Sequence, residues 1–335
     1  MTLDLQRGVA ADELTIEVGP EPAVDRRPSL TVLVWGAVGL TWLAIALSGW
    51  GRWILSDDFA AAPKGADVIS GAHLFWIRVI DAGSAAAGVA LAWFFLLRPA
   101  WRERRLTMDG MIFLACAVSF FIDPVINQFK YTFAWNAHVW NRGSWAAYVP
   151  FHGGPTRFAE GLSWAWAQYL YMGLAAAVLG GWIVRRLRVR RPGISNLSAF
   201  TALFATYAVA DFVLENLFIR AEVYGYARTW KVFTLFDGSQ YQFPLYESLA
   251  VAAFATGWTY FRLSWQERGT PFVAGGLERL RLGPRAGTAL LFLSVVGFGA
   301  VWVFLSYFAP WSWLSVNADS IARLPSYMLP GAGRP

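Results

Sequence analysis

The 335-residue chain is 56% hydrophobic and 15% charged, with a formal net charge of +6 and a mean hydropathy of +0.41. A soluble domain carries about 25% charged residues, so this composition is too poor in charge to coat a water-facing surface. The positive surplus sits in a few short loops rather than in a stripe, which excludes nucleic acid as its reason.

Residues 1–28 are polar and acid-bearing with no apolar core, and read as a disordered cytoplasmic tail rather than a cleaved signal peptide. Uncharged runs follow at 28–51 (24 residues), 161–184 (24), 192–210 (19) and 286–318 (33). About 20 apolar residues cross a bilayer as a helix. Segments 72–97, 108–129 and 243–265 are equally apolar but carry acids. The expected fold is all-α: a polytopic membrane protein, a bundle of about seven transmembrane helices. The spans fall at about 30–50, 72–97, 108–129, 161–184, 197–219, 243–265 and 286–308. They form a membrane domain over 29–308, with a C-terminal tail at 309–335. Helices of this length exclude an outer-membrane barrel. The single cysteine, Cys116, lies in the third span, so no internal disulfide forms.

Loop 98–105 holds four arginines, 185–191 five, and 262–285 five more. The positive-inside rule puts these loops and the N-terminus in the cytoplasm and the C-terminus outside.

Charged side chains inside the spans are costly and mark a functional interior by default. Here they are Arg78 and Asp81, Asp123, Asp211 with Glu215, and Glu247. All six fall in the outer halves of their spans, on the side of all three histidines, so one polar cavity opening outward would collect them. Asp123 and Asn127 are spaced i,i+4, as are Asp211 and Glu215, which places each pair on one helix face. Arg78 and Asp81 are spaced to form an ion pair. Pro124 should bend the third span at Asp123.

A weak internal repeat aligns IDPVINQF (122–129) with ADFVLENLF (210–218), and AEGLSW (159–164) with YESLAV (246–251), so Glu160 matches Glu247. Asn216 and Tyr246 lie beside these acids. Most of the 19 tryptophans suit a membrane-interface belt, with a minority free to hold a cation by their ring faces. The histidines lack metal-ligand spacing, and no nucleotide, phosphate-loop or haem motif is present. Lys64, Lys130 and Lys231 all lie outside the spans, which excludes a retinal Schiff base. No cofactor is expected. The sequence sets no oligomeric state.

DPVINQF, NAHVWNRGSWAAYVPFHGGP (136–155) and AEGLSW resemble the AveC-type spirocyclase family of actinobacterial membrane proteins, most clearly over 108–265. The resemblance implies a bacterial cell-membrane location and closure of a dihydroxy-ketone polyketide into a spiroketal, with dehydration in some members. Matching family positions are Asp123, Asn127, Asn136, His138, Asn141, Gly143, Ser144, Trp145 and Glu160. ENLFIRAEVYGY (215–226) and FPLYE (243–247) more faintly resemble membrane-bound lycopene cyclases, although Tyr246 replaces the first of two adjacent acids.

The expected chemistry is cofactor-free acid–base cyclisation of a hydrophobic small molecule that arrives from the membrane lipid. A carboxyl group in a dry pocket can hold its proton near neutral pH. Asp211 or Asp123 would act as acid, and Glu215 and Glu247 as base or electrostatic partner, with His138 as an alternative proton acceptor. Asn127, Asn136, Asn141, Trp145, Glu160, Asn216, Tyr246, Arg78 and Asp81 would shape the substrate site. The alternatives are an isoprenoid cyclase on the same carboxylates, or a proton-coupled transporter or lipid-binding protein.

Overall fold

The computed structural model describes residues 31–329; the expected tail at 1–28 lies outside them. Seven long helices follow one another: α1 (Thr31–Ile54), α2 (Gly71–Glu103), α3 (Met108–Asn127), α4 (Trp164–Arg190), α5 (Asn196–Arg220), α6 (Leu245–Arg268) and α7 (Pro284–Val316). Their starts follow ordinary capping chemistry. Ser70, Thr107 and Ser195 accept from His73 N, Gly110 N and Ser198 N at 3.1, 3.2 and 3.0 Å, satisfying donors that the helix leaves open.

Six of these helices, all but α6, are long and apolar enough to cross a membrane. The seventh expected span, 243–265, is present as α6, but Glu247, Arg262, Glu267 and Arg268 lower its apolarity. Its burial explains why it needs no lipid-compatible surface: Trp258, Phe254 and Phe261 are fully enclosed, and the helix packs against α4 and α5. Lipid-type side chains instead stud α2 (Phe75, Trp76, Val89, Phe94) and α5 (Val209, Val213, Leu217), where they are exposed.

The α1 and α7 backbones approach each other closely. A Cβ on Gly39 would collide with Leu293 O and come within 2.8 Å of Gly297 N, and one on Gly297 would strike Trp35 O. Small residues let helices meet this tightly in a medium that supplies no hydrophobic drive.

The connections 55–70, 128–163, 221–244 and 317–329 gather on one face, here termed the loop face. There β1 (Phe133–Trp135) pairs antiparallel with β2 (Tyr224–Tyr226), in the register Phe133↔Tyr226 and Trp135↔Tyr224. β3 (Arg228–Thr229) pairs with β6 (Ser320–Ile321), and β4 (Thr234–Leu235) with β5 (Phe243–Pro244). The last helix runs beyond the expected 308 to Val316, through a π-turn at Phe304–Phe308 that precedes Pro310. Residues after it fold back into the loop face, where Ala137 N donates to Tyr327 O at 2.7 Å and Ser326 Oγ accepts from Ala66 N and Asp67 N. Much of the expected C-terminal tail is therefore packed structure.

Candidate active site

The α3 helix tightens into a 3-10 helix over Phe120–Asn127, with Pro124 inside it. The bend expected at Pro124 takes this form because a tighter turn accommodates the missing proline N–H. Three residues per turn also rotate positions four apart onto different faces. Asp123 and Asn127 therefore part company, contrary to the i,i+4 expectation. Asp123 lines an internal slot, while Asn127 Oδ1 accepts from Thr132 N at 2.8 Å and Phe133 N at 3.0 Å, holding the chain that leads into β1.

The slot lies between α3, α4, α5, α6 and α7 near the loop face. Asp123, Glu215 and Glu247 line it together with Phe133, Trp135, Tyr169, Met172, Tyr226, Phe254 and Tyr307. Each acid is held by phenol or indole donors rather than by a base. Tyr169 Oη and Trp135 Nε1 donate to the two Asp123 oxygens at 2.8 and 3.3 Å. Tyr226 Oη donates to Glu215 Oε2 at 2.8 Å, and Tyr307 Oη to Glu247 Oε1 at 2.5 Å. The second oxygen of Glu247 is buried without a donor. Tyr307 sits in the π-turn of α7, and Met172 lies in a second π-turn at Tyr171–Ala175 of α4. Such turns recur where a helix supplies functional side chains.

A fourth acid, Glu160, comes from the loop before α4. Ser144 Oγ donates to its Oε1 at 3.2 Å, its Oε2 has no donor, and its carboxyl stands at hydrogen-bonding range of Asp123. Burial, and then the charge of Asp123, hold the Glu160 carboxyl well above the usual carboxylate range, so that Glu160 can carry a proton shared with Asp123. Burial and the charge of Glu215 likewise push the Tyr224 and Tyr226 phenols up, which keeps both protonated and Tyr226 a donor to Glu215. The repeat read in the sequence is matched only in part: strands β1 and β2, which follow its two halves, are paired, but of the aligned acids Asp123 and Glu247 line the slot while their mates Asp211 and Glu160 do not.

The free space in the slot is about 20 Å³, room for about one water. Beside it, between α1, α3 and α7, lies an apolar groove of about 590 Å³ lined by Trp42, Ile45, Ile122, Val125, Phe304 and Trp313. The 3-10 segment separates the two spaces, with Ile122 and Val125 on the groove side and Asp123 and Ile126 on the slot side.

The remaining expected residues lie elsewhere. Asp211 is one turn behind Glu215, interacts with it through charge, and approaches Ser248, but does not line the slot. The Asp81 carboxylate is engaged by Arg78 at 3.5 Å, Trp140 N at 3.0 Å and Ser163 Oγ at 2.5 Å. Together with the Arg78 bond to His138 O, it fastens α2 to the loop face. The expectation that acids of four spans share one cavity is therefore corrected: α3, α5 and α6 contribute, α2 does not, and the loop acid Glu160 stands behind Asp123 rather than in the lining. His138 donates through Nδ1 to Asn136 Oδ1 at 3.1 Å and is absent from the slot lining; burial, then Lys64 and Arg78, hold its pKa below the ordinary value. Asn136 also ties to Glu222 O, and Asn141 to Ala62 N and Ala137 O. The Trp145 indole donates to Phe121 O at 2.8 Å. Asn216 bonds within its own helix to Phe212 O, and the Tyr246 hydroxyl accepts from Trp230 N at 3.3 Å. These side chains bind the scaffold.

Charge-based reading missed Tyr169, Tyr226, Tyr307 and Trp135. The available signal was a tyrosine in each of two otherwise uncharged spans, the fourth and the seventh. Among the described residues, no three His, Cys, Asp or Glu are grouped to hold a metal ion.

Residues 103–326 match the family described as spirocyclase AveC-like. No curated protein and no solved structure matches the chain.

Proposed function

Because the chain belongs to the AveC-like spirocyclase family, and so to a family of cyclase enzymes, we propose that it is a membrane-embedded acid–base catalyst that closes a hydrophobic hydroxy-ketone into a spiroketal in the slot between Asp123, Glu215 and Glu247. The observation that carries this reading is the slot itself: three acids from three helices, each held by an aromatic donor, with no basic side chain in the lining. Acids paired only with neutral donors can exchange protons with a bound molecule, whereas an Arg or Lys partner would lock them ionised.

The proton bookkeeping is simple. One substrate hydroxyl adds to the ketone to give a hemiketal. Asp123 protonates the hemiketal hydroxyl, which leaves as water, and an oxocarbenium ion remains. The rings of Phe133, Trp135 and Phe254 flank that cation, and the charge of Glu215 or Glu247 opposes it. A second substrate hydroxyl attacks, and its proton passes to Glu215 or Glu247. One water is lost and no net proton is consumed. Of the two acids expected from the sequence, Asp123 takes the role because Asp211 stands behind the slot.

A drug-sized ligand needs about 300–1,000 Å³, far more than the resting slot offers. Substrate would lie first in the apolar groove, reached from lipid, and enter as the 3-10 wall around Pro124 shifts. This route fits a hydrophobic substrate and a bacterial membrane location.

The test is a comparison of organic extracts, by mass spectrometry, from cells carrying the wild-type gene, no gene, or the Asp123→Asn, Glu215→Gln and Glu247→Gln variants. The expected result is a product lighter than its precursor by one water, present only with the wild type. A product of unchanged mass would point to terpene-type isomerisation instead, and full conversion by all three variants would remove the slot from the chemistry.

A further inference from the structure

A second cavity, of about 320 Å³, opens on the loop face. Asp57, Asp58, Gly143, Ser144, Thr156 and Arg157 line it, and its charged rim marks it as a water-filled space rather than a lipid-filled one. Ser144 forms part of its floor. The Ser144 hydroxyl oxygen accepts from Ala146 N at 3.1 Å, which fixes its rotamer and leaves its proton directed to Glu160 Oε1 at 3.2 Å. Glu160 in turn reaches Asp123, and Asp123 lines the slot. The backbone can pass under the cavity rim only because residue 143 is glycine. It has φ of 77°, and a Cβ there would lie 2.7 Å from Ala60 O and 3.0 Å from Asp58 O.

We infer that Ser144, Glu160 and Asp123 form a proton line that connects the loop-face water to the acid of the slot. Its purpose rests on the acid role proposed for Asp123, but its existence does not. A purely structural Glu160 would be a poor solution, because a buried acid set against another acid, with one oxygen lacking any donor, is more costly than an apolar side chain of the same size. A relay requires this arrangement. It needs a group that can hold or release a proton, flanked on one side by a hydroxyl facing water and on the other by the catalytic carboxyl.

In one passage the Glu160 carboxyl gives its proton to the Asp123 carboxylate. In a single concerted step the Ser144 hydroxyl then passes its proton to Glu160 and takes one from a water in the outer cavity. The hydroxide left behind is neutralised by buffer acid, and no bond other than O–H bonds forms or breaks. The reverse passage discharges the acid pair by the same steps. Because the slot reaction consumes no net proton, the line does not feed each turnover; it keeps the protonation of the Asp123–Glu160 pair in equilibrium with the loop-face water without water entering the slot by the substrate's route.

The test needs no substrate. Purified protein is transferred to D2O, and deuteration of its protonated carboxyl groups is followed by infrared spectroscopy, with bands assigned through Asp123→Asn, Glu160→Gln and Glu247→Gln. In Ser144→Ala the Asp123–Glu160 band should exchange slower by about tenfold or more, the factor given by a barrier raised by one ordinary hydrogen bond. Ser144→Thr should restore the wild-type rate, Ser144→Cys should lie between, and the Glu247 band should keep its rate throughout. An unchanged rate in Ser144→Ala and Ser144→Cys would overturn the line, as would equal slowing of every band or the lack of any protonated Asp123–Glu160 band. Should Ser144→Ala fail to fold, the near-isosteric Ser144→Cys decides alone. Because cyclase turnover plays no part in this readout, a failure of the proton line is distinguishable from a failure of the proposed reaction.

Discussion

Replacing Asp123 with Asn separates the chemistry of the slot from its stability. Asn keeps the size of the side chain and one acceptor oxygen, so either Tyr169 Oη or Trp135 Nε1, now at 2.8 and 3.3 Å, retains a partner. The Tyr169 hydroxyl can rotate to accept from the new amide, so the folding loss should be that of one imperfect buried hydrogen bond, about 1–3 kcal/mol. The catalytic loss is larger. A positioned general acid contributes ~10²–10⁴-fold in rate, equivalent to about 3–5 kcal/mol of barrier. The assay pairs thermal unfolding of the detergent-solubilised protein with product formed per folded molecule in membranes. A modest fall in melting temperature with a loss of product of about a hundredfold or more is the expected outcome. Retention of turnover within about threefold, well inside what one lost hydrogen bond can do, would refute the acid role.

The pH dependence of stability should carry the signature of Glu160. Its pKa is raised on folding, so its contribution is fully present below the unfolded value near 4.3 and is lost as pH rises toward the folded value, by up to about 1.4 kcal/mol per pH unit. Glu160→Gln should flatten that decline in unfolding measurements across the range; an unchanged profile would contradict the burial argument. On the opposite face, Arg262 binds both oxygens of Asp109 at 2.8 and 2.9 Å. Asp109→Asn should destabilise by about 2–4 kcal/mol, somewhat below a fully buried pair because Asp109 is partly exposed, while the double change Asp109→Leu/Arg262→Met should cost less than either single one. At the α1–α7 contact, Gly297→Ala should lower stability by about 1–3 kcal/mol through overpacking. Gly287→Ala on the same helix meets open space and should be neutral or slightly stabilising; equal effects in unfolding assays would argue against the close backbone contact.

The positions of the helices were legible because long apolar runs have few other physical solutions in a bilayer: all seven expected segments are helices, whose starts lie within three residues of expectation and of which three run six to eight residues further at their ends. What misled was local geometry and polarity. Asp123 and Asn127 were read with an α-helical period, and Pro124 sits instead in a 3-10 turn that separates them. The segment 243–265 reads as a span by its apolar run, and the helix it forms, α6, is mostly buried among its neighbours. At the site, Asp123, Glu215 and Glu247 stood out because intramembrane acids are rare. Glu160 was visible only as a family position and a repeat partner; Tyr169 and Tyr307 were hidden because an uncharged tyrosine does not stand out in an apolar run, and Tyr226 because it lies in a loop. Asp81 attracted attention by the same charge rule, yet Ser163 and Trp140 N, distant in sequence, complete its hydrogen bonds. Partners that arrive from another loop cannot be read from spacing along one helix.

The most direct measurement is a density map of the purified protein in lipid with its substrate or product bound. The account predicts ligand density between Asp123, Glu215 and Glu247, with the wall at residues 120–127 moved aside and the slot enlarged from its resting 20 Å³. A ligand seated elsewhere, with these three carboxyl groups still on their aromatic donors, would contradict it.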